Sequence, residues 1–231
     1  MKILLSWSSG KDSAWALHEL QRQYPGAVAG LLTTINEASD RVAMHGVRTT
    51  ILEAQATAAG LPLIVVRLPS PCTNEEYEAR MAVAVRRAVR EGYTHAAFGD
   101  LFLEDVRRYR EARLAGSGLA PLFPLWGRDT AALARQMMTA GVEATITCVD
   151  SRVLDRSFAG RAFDAALLDD LPPAVDPCGE RGEFHTCVTA GPMFSRRIDV
   201  TAGEVVEREG FVFADLLPLN AHVARSTSRS T

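Results

Sequence analysis

The sequence predicts an α/β protein built on a doubly wound parallel sheet, with a smaller α+β section towards the C-terminus. Up to about residue 150, short apolar runs typical of buried strands alternate with helical segments. Beyond that point, short polar–apolar alternation indicates antiparallel strands. The 231 residues, 47% of them hydrophobic, suffice for one main core and a small appendage.

The elements of the first section follow from apolar runs and from capping residues. Strands are predicted at residues 2–7, 27–35, 63–68, 95–99 and 144–149. Helices are predicted at residues 14–20, 46–60, 74–90, 104–114 and 130–140, with Asn74 and Asp129 as N-terminal caps and Gly60 as a C-terminal cap. In sheets of this kind, ligands lie beyond the carboxyl ends of the strands.

For the chain beyond residue 150, the sequence predicts a turn-rich connection at residues 169–177 and antiparallel segments at residues 197–200, 204–208 and 210–213. We expect an α/β domain of residues 1–150, a small second domain of residues 151–220, and a flexible tail of residues 221–231.

Composition excludes several classes of function. With a formal net charge of −3, the chain lacks the basic field of a general nucleic-acid binder. No stretch approaches the roughly 20 apolar residues of a membrane span, so we expect a cytoplasmic protein without a membrane partner. The four cysteines include no Cys-x-x-Cys pair, and a homodimer is left open.

Residues 8–13, which we call the phosphate loop, read Ser-Ser-Gly-Lys-Asp-Ser and connect the first strand to the first helix. Small residues let the backbone close around an anion, and the free N–H groups of a helix start attract it. Leu5 and Asp12 stand where a Walker loop needs Gly and Ser or Thr, and Gly10 alone cannot form a dinucleotide fingerprint. The plain alternative is a polar turn that only caps the helix.

The phosphate loop resembles the PP-loop, Ser-Gly-Gly-x-Asp-Ser, of enzymes that cleave ATP between its α- and β-phosphates. Ser8, Gly10, Asp12 and Ser13 match this motif. Ser9 replaces the first Gly, which leaves room for phosphate provided that the backbone does not need a positive φ. The resemblance implies a HUP-like, PP-loop ATPase fold for the first domain.

Further candidates lie at the same edge of the predicted sheet. Lys11 is one of two lysines among 25 basic residues, which favours a compact ammonium for phosphate. Gly99 and Asp100 follow the fourth predicted strand. Asp12 and Asp100 are the expected Mg²⁺ ligands. Asp100 could instead orient the ribose, contact the acceptor (the second substrate, which ATP would activate) or cap the next helix.

Two residues near the second strand are candidates for nucleotide contact. Thr33 could contact adenine, or could simply favour a strand. His45 could contact nucleotide or substrate, or could cap the helix that follows. In residues 104–111, charges spaced for i,i+4 pairs indicate a solvated helix face, from which one unidentified arginine could also reach phosphate.

Residues 176–183, which we call the acidic loop, read Asp-Pro-Cys-Gly-Glu-Arg-Gly-Glu. Its glycines permit close approach to a ligand, while Glu180 and Glu183 offer carboxylates to a cation or an amine. His185 is expected to move a proton near neutral pH. The Cys and His spacing fits no zinc site, and a tight turn before a strand is the plain alternative.

Together these motifs are similar to the diphthine–ammonia ligase family, over roughly residues 2–215. That family typically carries Gly-Glu-Gly-Gly-Glu-Tyr-Glu-Thr in its second domain. The matching residues here are Gly179, Glu180, Gly182, Glu183 and Thr186. Arg181 and the pair Phe184-His185 depart from it where an acceptor would be recognised, and a content rich in Ala and Arg favours a bacterial-type member.

The resemblance implies a ligase that uses ATP and Mg²⁺ to adenylate a carboxylate-bearing acceptor, releases pyrophosphate, and forms an amide with ammonia or an amine. The expected catalytic residues are Lys11, Asp12, Asp100, Glu180, Glu183 and His185. The expected nucleotide-binding residues are Ser8, Ser9, Gly10, Lys11, Asp12, Ser13, Thr33, His45 and Gly99. A PP-loop tRNA-modifying enzyme and a nucleotide sensor without turnover are the two alternatives.

Overall fold

The computed structural model describes residues 1–219, which form two sheets. The strands are β1 (Ile3–Ser6), β2 (Val28–Asn36), β3 (Arg41–Val42), β4 (Leu63–Leu68), β5 (His95–Ala97), β6 (Ala120–Leu122), β7 (Glu143–Asp150), β8 (Phe184–Ala190), β9 (Val200–Arg208) and β10 (Phe211–Pro218). The helices are α1 (Lys11–Gln23), α2 (Thr49–Ala59), α3 (Asn74–Arg90), α4 (Glu104–Leu114), α5 (Thr130–Thr139) and α6 (Ala165–Asp170), with a 3₁₀ turn at Arg156–Phe158.

The first sheet has five parallel strands in the order β4-β2-β1-β5-β6, and the short β3 runs antiparallel to the end of β2. Strand β1 lies at the centre of these five strands. Its Ile3 and Leu5 pack into one apolar cluster and Leu4 into another, so both faces of the sheet are covered. The predicted α/β class with a parallel sheet is confirmed, and β1 and β5 end beside each other at the edge that carries the phosphate loop.

The second sheet is antiparallel, in the order β8-β7-β10-β9. The expectation that residues 144–149 belong to the parallel sheet is wrong, because β7 pairs with β8 and β10. Most of β7 is buried, so its apolar run looks the same in either kind of sheet. The three-residue β6, which the sequence does not predict, takes the place beside β5.

The division into domains at residue 150 stays a prediction, and the predicted tail of residues 221–231 lies outside the described residues. No helix within residues 1–219 combines the length and apolar character needed to cross a bilayer.

Three helix ends show how local sequence sets the elements. Gly60 adopts a left-handed conformation at the end of α2, and the Asp129 side chain accepts from the Ala132 N–H at the start of α5, both as predicted. The cap of α3 is Thr73 rather than Asn74. Thr73 and Glu76 exchange side-chain and backbone hydrogen bonds in a capping box, which satisfies two N–H groups instead of one.

Candidate functional site

The phosphate loop turns from β1 into α1 and leaves backbone donors available. Gly10 is the N-cap, so the N–H groups of Asp12 and Ser13, in the first turn, have no carbonyl partner within the helix. Ser9 has a φ of +71°, in the region that glycine prefers. The condition under which Ser replaces Gly without strain is therefore not met, because the backbone does need a positive φ.

Two hydroxyls shape the loop from inside. Ser13 Oγ accepts from the Ser8 N–H at 3.3 Å and donates to the Gly10 carbonyl at 3.0 Å. The Ser8 and Ser13 hydroxyls lie 3.2 Å apart. Both serines thus hold the curvature of the turn, whether or not they also contact phosphate.

Two glycines are required by close packing rather than by backbone torsion. A Cβ at Gly10 would lie 2.7 Å from the His45 ring, and one at Gly99 would lie 2.9 Å from the backbone of Asp12. The end of β5 therefore packs directly on the phosphate loop. The predicted meeting of residues 99–100 with this loop is observed.

Lys11 does not lie where the sequence suggested. Its side chain is buried; Nζ donates to Asp12 Oδ2 at 2.9 Å and to the Cys178 carbonyl, and it lies over the rings of Phe163 and Phe184. Burial, the largest single influence, lowers the pKa of Lys11, but the charge and hydrogen bond of Asp12 together with the charges of Cys178 and Glu180 outweigh it, and the net shift is upward. The charge of Lys11 therefore links the two loops, which does not support the expected contact with phosphate.

The two expected Mg²⁺ ligands differ in availability. Asp12 Oδ1 is buried and has no hydrogen-bond partner among the described residues. Both oxygens of Asp100 are bound by the Arg110 guanidinium, at 2.5 and 3.0 Å. No group of three or more His, Cys, Asp or Glu side chains within residues 1–219 could hold a metal ion. A single carboxylate still suits Mg²⁺ when phosphates supply further oxygens, so Asp12 fits and Asp100 does not.

The acidic loop uses most of its carboxylates on its own backbone. Glu183, which is buried, accepts from the N–H groups of Asp176 and Arg181, both at 2.9 Å. Asp176 in turn accepts from the N–H groups of Cys178 and Glu180, at 2.9 and 3.2 Å. Glu183 therefore positions the loop, which does not support the expected catalytic contact.

Glu180 is the acid of this loop that reaches outward. Its Oε1 accepts from the Leu101 N–H at 2.7 Å, directly after Asp100. Burial, together with the charges of Asp12 and Asp100, raises the pKa of Glu180 to about 7. A carboxyl with this pKa can gain or lose a proton near neutral pH, as a general acid or base requires.

The two histidine rings pack against each other in a tilted arrangement, with centroids 4.6 Å apart and an angle of 39° between their planes. His45 hydrogen-bonds the Thr186 carbonyl through Nδ1 at 3.0 Å, and it does not cap α2, whose N-cap is Arg48. Burial lowers the pKa of His45 to about 4, and burial with the nearby His45 and Lys11 holds the pKa of His185 well below its ordinary value. His185 is thus neutral at physiological pH, which does not support the expected proton transfer there.

A cavity of about 520 Å³ opens beside the phosphate loop. Ser8 of the phosphate loop lines it together with Ser6, Thr33 and Ala43, whose small side chains leave room for part of a nucleotide. Thr33 is buried with an unpartnered hydroxyl, which suits contact with a base. That contact, and the nucleotide contacts expected for His45 and Gly99, stay predictions.

Sequence reasoning missed Gln55 and did not identify Arg110. Gln55 is fully buried; its amide accepts from the Trp7 indole at 3.0 Å and donates to the carbonyls of Ser9 and Val188, at 3.1 and 2.7 Å. It thereby ties the phosphate loop to β8. A polar residue on the apolar face of a predicted helix was the signal that could have revealed it.

Comparison with known protein sequences shows which family the chain belongs to. Residues 1–119 match the family model described as diphthamide synthase N-terminal domain, and residues 129–216 match the one described as diphthamide synthase C-terminal domain. The chain is 29% identical to the diphthine–ammonia ligase of Danio rerio over 237 residues, which covers 93% of this chain and 92% of that protein. It is 27% identical to the Homo sapiens protein of the same name over 245 residues, covering 93% of this chain and 88% of that protein.

A third similar protein, the diphthine–ammonia ligase of Schizosaccharomyces pombe, is 35% identical over 94 residues, or 39% of this chain and 16% of that protein. The N-terminal family model alone spans more than half of the 231 residues, and the C-terminal one accounts for the acidic loop and the second sheet. The chain therefore belongs to the diphthamide synthase family.

Proposed function

We propose that this protein is an ATP-dependent amide ligase of the diphthine–ammonia ligase type. It would adenylate a carboxylate on its acceptor, release pyrophosphate and then exchange AMP for ammonia or an amine. The observation that carries the proposal is that the acidic loop is bonded both to the phosphate loop, where Lys11 donates to the Cys178 carbonyl, and to the segment after β5, where Glu180 accepts from the Leu101 N–H. A titratable acid therefore lies beside the place where the triphosphate would bind.

In the first step, an acceptor carboxylate oxygen attacks the α-phosphorus, and the bond from that phosphorus to the oxygen bridging to the β-phosphate breaks. Negative charge grows on the departing pyrophosphate. The N–H groups of Asp12 and Ser13 and the positive end of α1 stabilise that charge without reorganisation. Mg²⁺ held by Asp12 Oδ1 would supply further charge neutralisation when bound.

In the second step, the amine nitrogen attacks the acyl carbon and AMP leaves. The attacking nitrogen must lose a proton, and Glu180 is the acid whose pKa of about 7 suits that transfer. With an ordinary pKa, a carboxylate would be a weaker base for this purpose. The amide-forming step therefore depends on Glu180 more than the pyrophosphate-forming step does.

The test is incubation of the purified protein with ATP labelled in the α-phosphate, Mg²⁺ and ammonium, with and without extract from its own source. Labelled AMP and pyrophosphate that appear only with extract are expected. Glu180→Gln should slow amide formation about 100-fold while leaving pyrophosphate release less affected, and Glu104→Gln, an exposed acid on α4, is the matched control.

The products ADP and phosphate would contradict the proposal. Bound ATP without any AMP under all conditions would instead favour a nucleotide sensor. Transfer of the label to RNA in the extract would favour a tRNA-modifying enzyme.

A further inference from the structure

The cavity beside the phosphate loop continues into a cleft between α3 and α4. These two helices cover the sheet incompletely: the 17-residue α3 buries only Ala84 and Ala88, and the 11-residue α4 buries only Leu114. Leu4 of β1 and Met81 of α3 line the space that remains. This part of the cavity therefore combines apolar side chains with the charged residues Glu78, Arg86, Arg110 and Arg113.

Arg110 of α4 lies at the wall of this cavity and is fixed on two sides. Its Nε and Nη2 donate to the Asp100 carboxylate, and its guanidinium carbon lies 4.4 Å from the centroid of the Phe98 ring. Its Nη1 has no hydrogen-bond partner within residues 1–219. A guanidinium held in this way keeps two N–H donors ready for another anion and loses little freedom on binding it.

We propose that this cleft binds the acceptor, and that the acceptor is a carboxylic acid with an apolar body whose carboxylate pairs with Arg110. The inference rests on the proposed ligase function and specifies its substrate class. Arg110 holds Asp100, and Gly99 packs on the backbone of Asp12, so the carboxylate would arrive next to the phosphate loop. The two N–H groups of Nη1 there give the carboxylate charge-assisted hydrogen-bond donors that Asp100 does not use.

The charges of the acidic loop favour an acceptor site at Arg110 over one at the acidic loop, where the sequence led us to expect it. Glu180 and Glu183 are acids, which do not attract a carboxylate. Arg181 lies over the Phe102 ring, is more than half exposed, and is not among the residues that line the cavity, whereas Arg110 is. Arg110 therefore offers the acceptor carboxylate a partner that the acidic loop does not.

The experiment measures binding of 3-phenylpropionate and of its uncharged analogue 3-phenylpropionamide by isothermal titration calorimetry. The wild-type protein should bind the acid about tenfold more tightly than the amide, because only the acid forms charge-assisted bonds to Arg110. Arg110→Met should reduce that ratio to near one, and Arg110→Lys should keep part of it. The control Arg108→Met changes an exposed arginine on the same helix and should leave the ratio intact.

A second arm separates carboxylate from phosphate as the anion at Arg110. The titrations are repeated with saturating α,β-methylene-ATP, and the acid should still bind. Equal affinity for acid and amide, failure of the acid to bind, displacement of the acid by the nucleotide, or a tenfold loss of nucleotide affinity in Arg110→Met would each overturn the proposal. Because these readouts need no turnover, acid-selective binding without AMP formation would count against the ligase function and not against this site.

Discussion

The phosphate loop and the acidic loop meet in space, yet they use their polar groups in opposite ways. In the phosphate loop, the N–H groups of Asp12 and Ser13 have no carbonyl partner within α1, and the Oδ1 of Asp12 has no hydrogen-bond partner in the described structure. In the acidic loop, Asp176 and Glu183 bind four backbone N–H groups of that same loop. One loop is held by its neighbours and presents its polar groups, whereas the other is held by its own acids.

This difference separates acids that bind ligands from acids that fold a loop. Four acids, namely Asp12, Asp176, Glu180 and Glu183, lie in the two loops. Only Asp12 and Glu180 keep a carboxylate oxygen free of hydrogen bonds within residues 1–219. A signature of alternating glycines and acids therefore marks a loop conformation first, and a ligand contact only at the residues whose carboxylates remain unused.

The largest effect is expected for Asp12→Asn, which removes the phosphate-loop acid whose Oδ1 has no protein partner in the described structure. We expect AMP formation with source extract to fall at least about 100-fold, because both the charge at Oδ1 and the negative charge that pairs with Lys11 are lost. Asp105→Asn, which changes an exposed acid of α4, should leave turnover unchanged. Near-normal turnover in a folded Asp12→Asn protein would show that this oxygen serves no ligand.

The matching change in the acidic loop is Glu183→Gln. The amide keeps one acceptor oxygen but turns an NH₂ group towards a backbone N–H, so the free energy of unfolding should fall by about 2 kcal/mol. Urea denaturation followed by circular dichroism measures it, with the exposed Glu104→Gln as the control. An unchanged midpoint would mean that Glu183 does not hold the loop.

Glu180→Gln sharpens the comparison through its pH dependence. Below about pH 4.5, Glu180 is protonated in both states; as pH rises to about 7, the unfolded chain loses this proton first, so the folded state loses stability. The always-neutral glutamine avoids this penalty. The free energy of unfolding of Glu180→Gln relative to that of the wild-type protein should therefore be about 1 kcal/mol higher at pH 8 than at pH 5, after allowance for partial exposure. The same gain at both pH values would contradict a raised pKa.

The smallest expected effect is at Ser9, where the phosphate loop carries strain. Ser9→Gly should raise the free energy of unfolding by about 0.5 kcal/mol, since glycine accepts the φ of +71° and leaves no unpartnered hydroxyl. Ser8→Gly is the matched control and should lower it, because the Ser8 hydroxyl accepts from the Gly10 N–H. Thermal unfolding of the three proteins measures both shifts, and a less stable Ser9→Gly would mean that the hydroxyl is used.

Much of the fold could be predicted because its signals are local. The helix over residues 104–114 matched α4, and Gly60 and Asp129 ended and began helices where predicted, since caps act within one turn. The sheet that β7 joins could not be predicted. Its pairing depends on β8 and β10, which lie later in the chain, and a buried strand carries no mark of its partner's direction.

The candidate site divides in the same way. The spacing of the phosphate loop predicted the turn, and Gly99 was correctly placed against it. The contact between the His45 and His185 rings, and the burial that depresses the pKa values of both, could not be inferred, because the residues are far apart in sequence. The expected role of Glu183 rested on residue type and on the matching motif, and that of His185 rested on residue type alone.

By itself, the sequence determined that a strand would turn into a helix through a loop of small residues, because backbone conformation and capping depend on near neighbours. Tertiary structure decided which charges of that loop remain available. Lys11 finds its carbonyl partner in Cys178, 167 positions along the chain, and Arg110 is fixed by Asp100 and Phe98. Burial and pairing with other residues decide whether a charge remains available to a ligand, and both arise only when distant segments pack together.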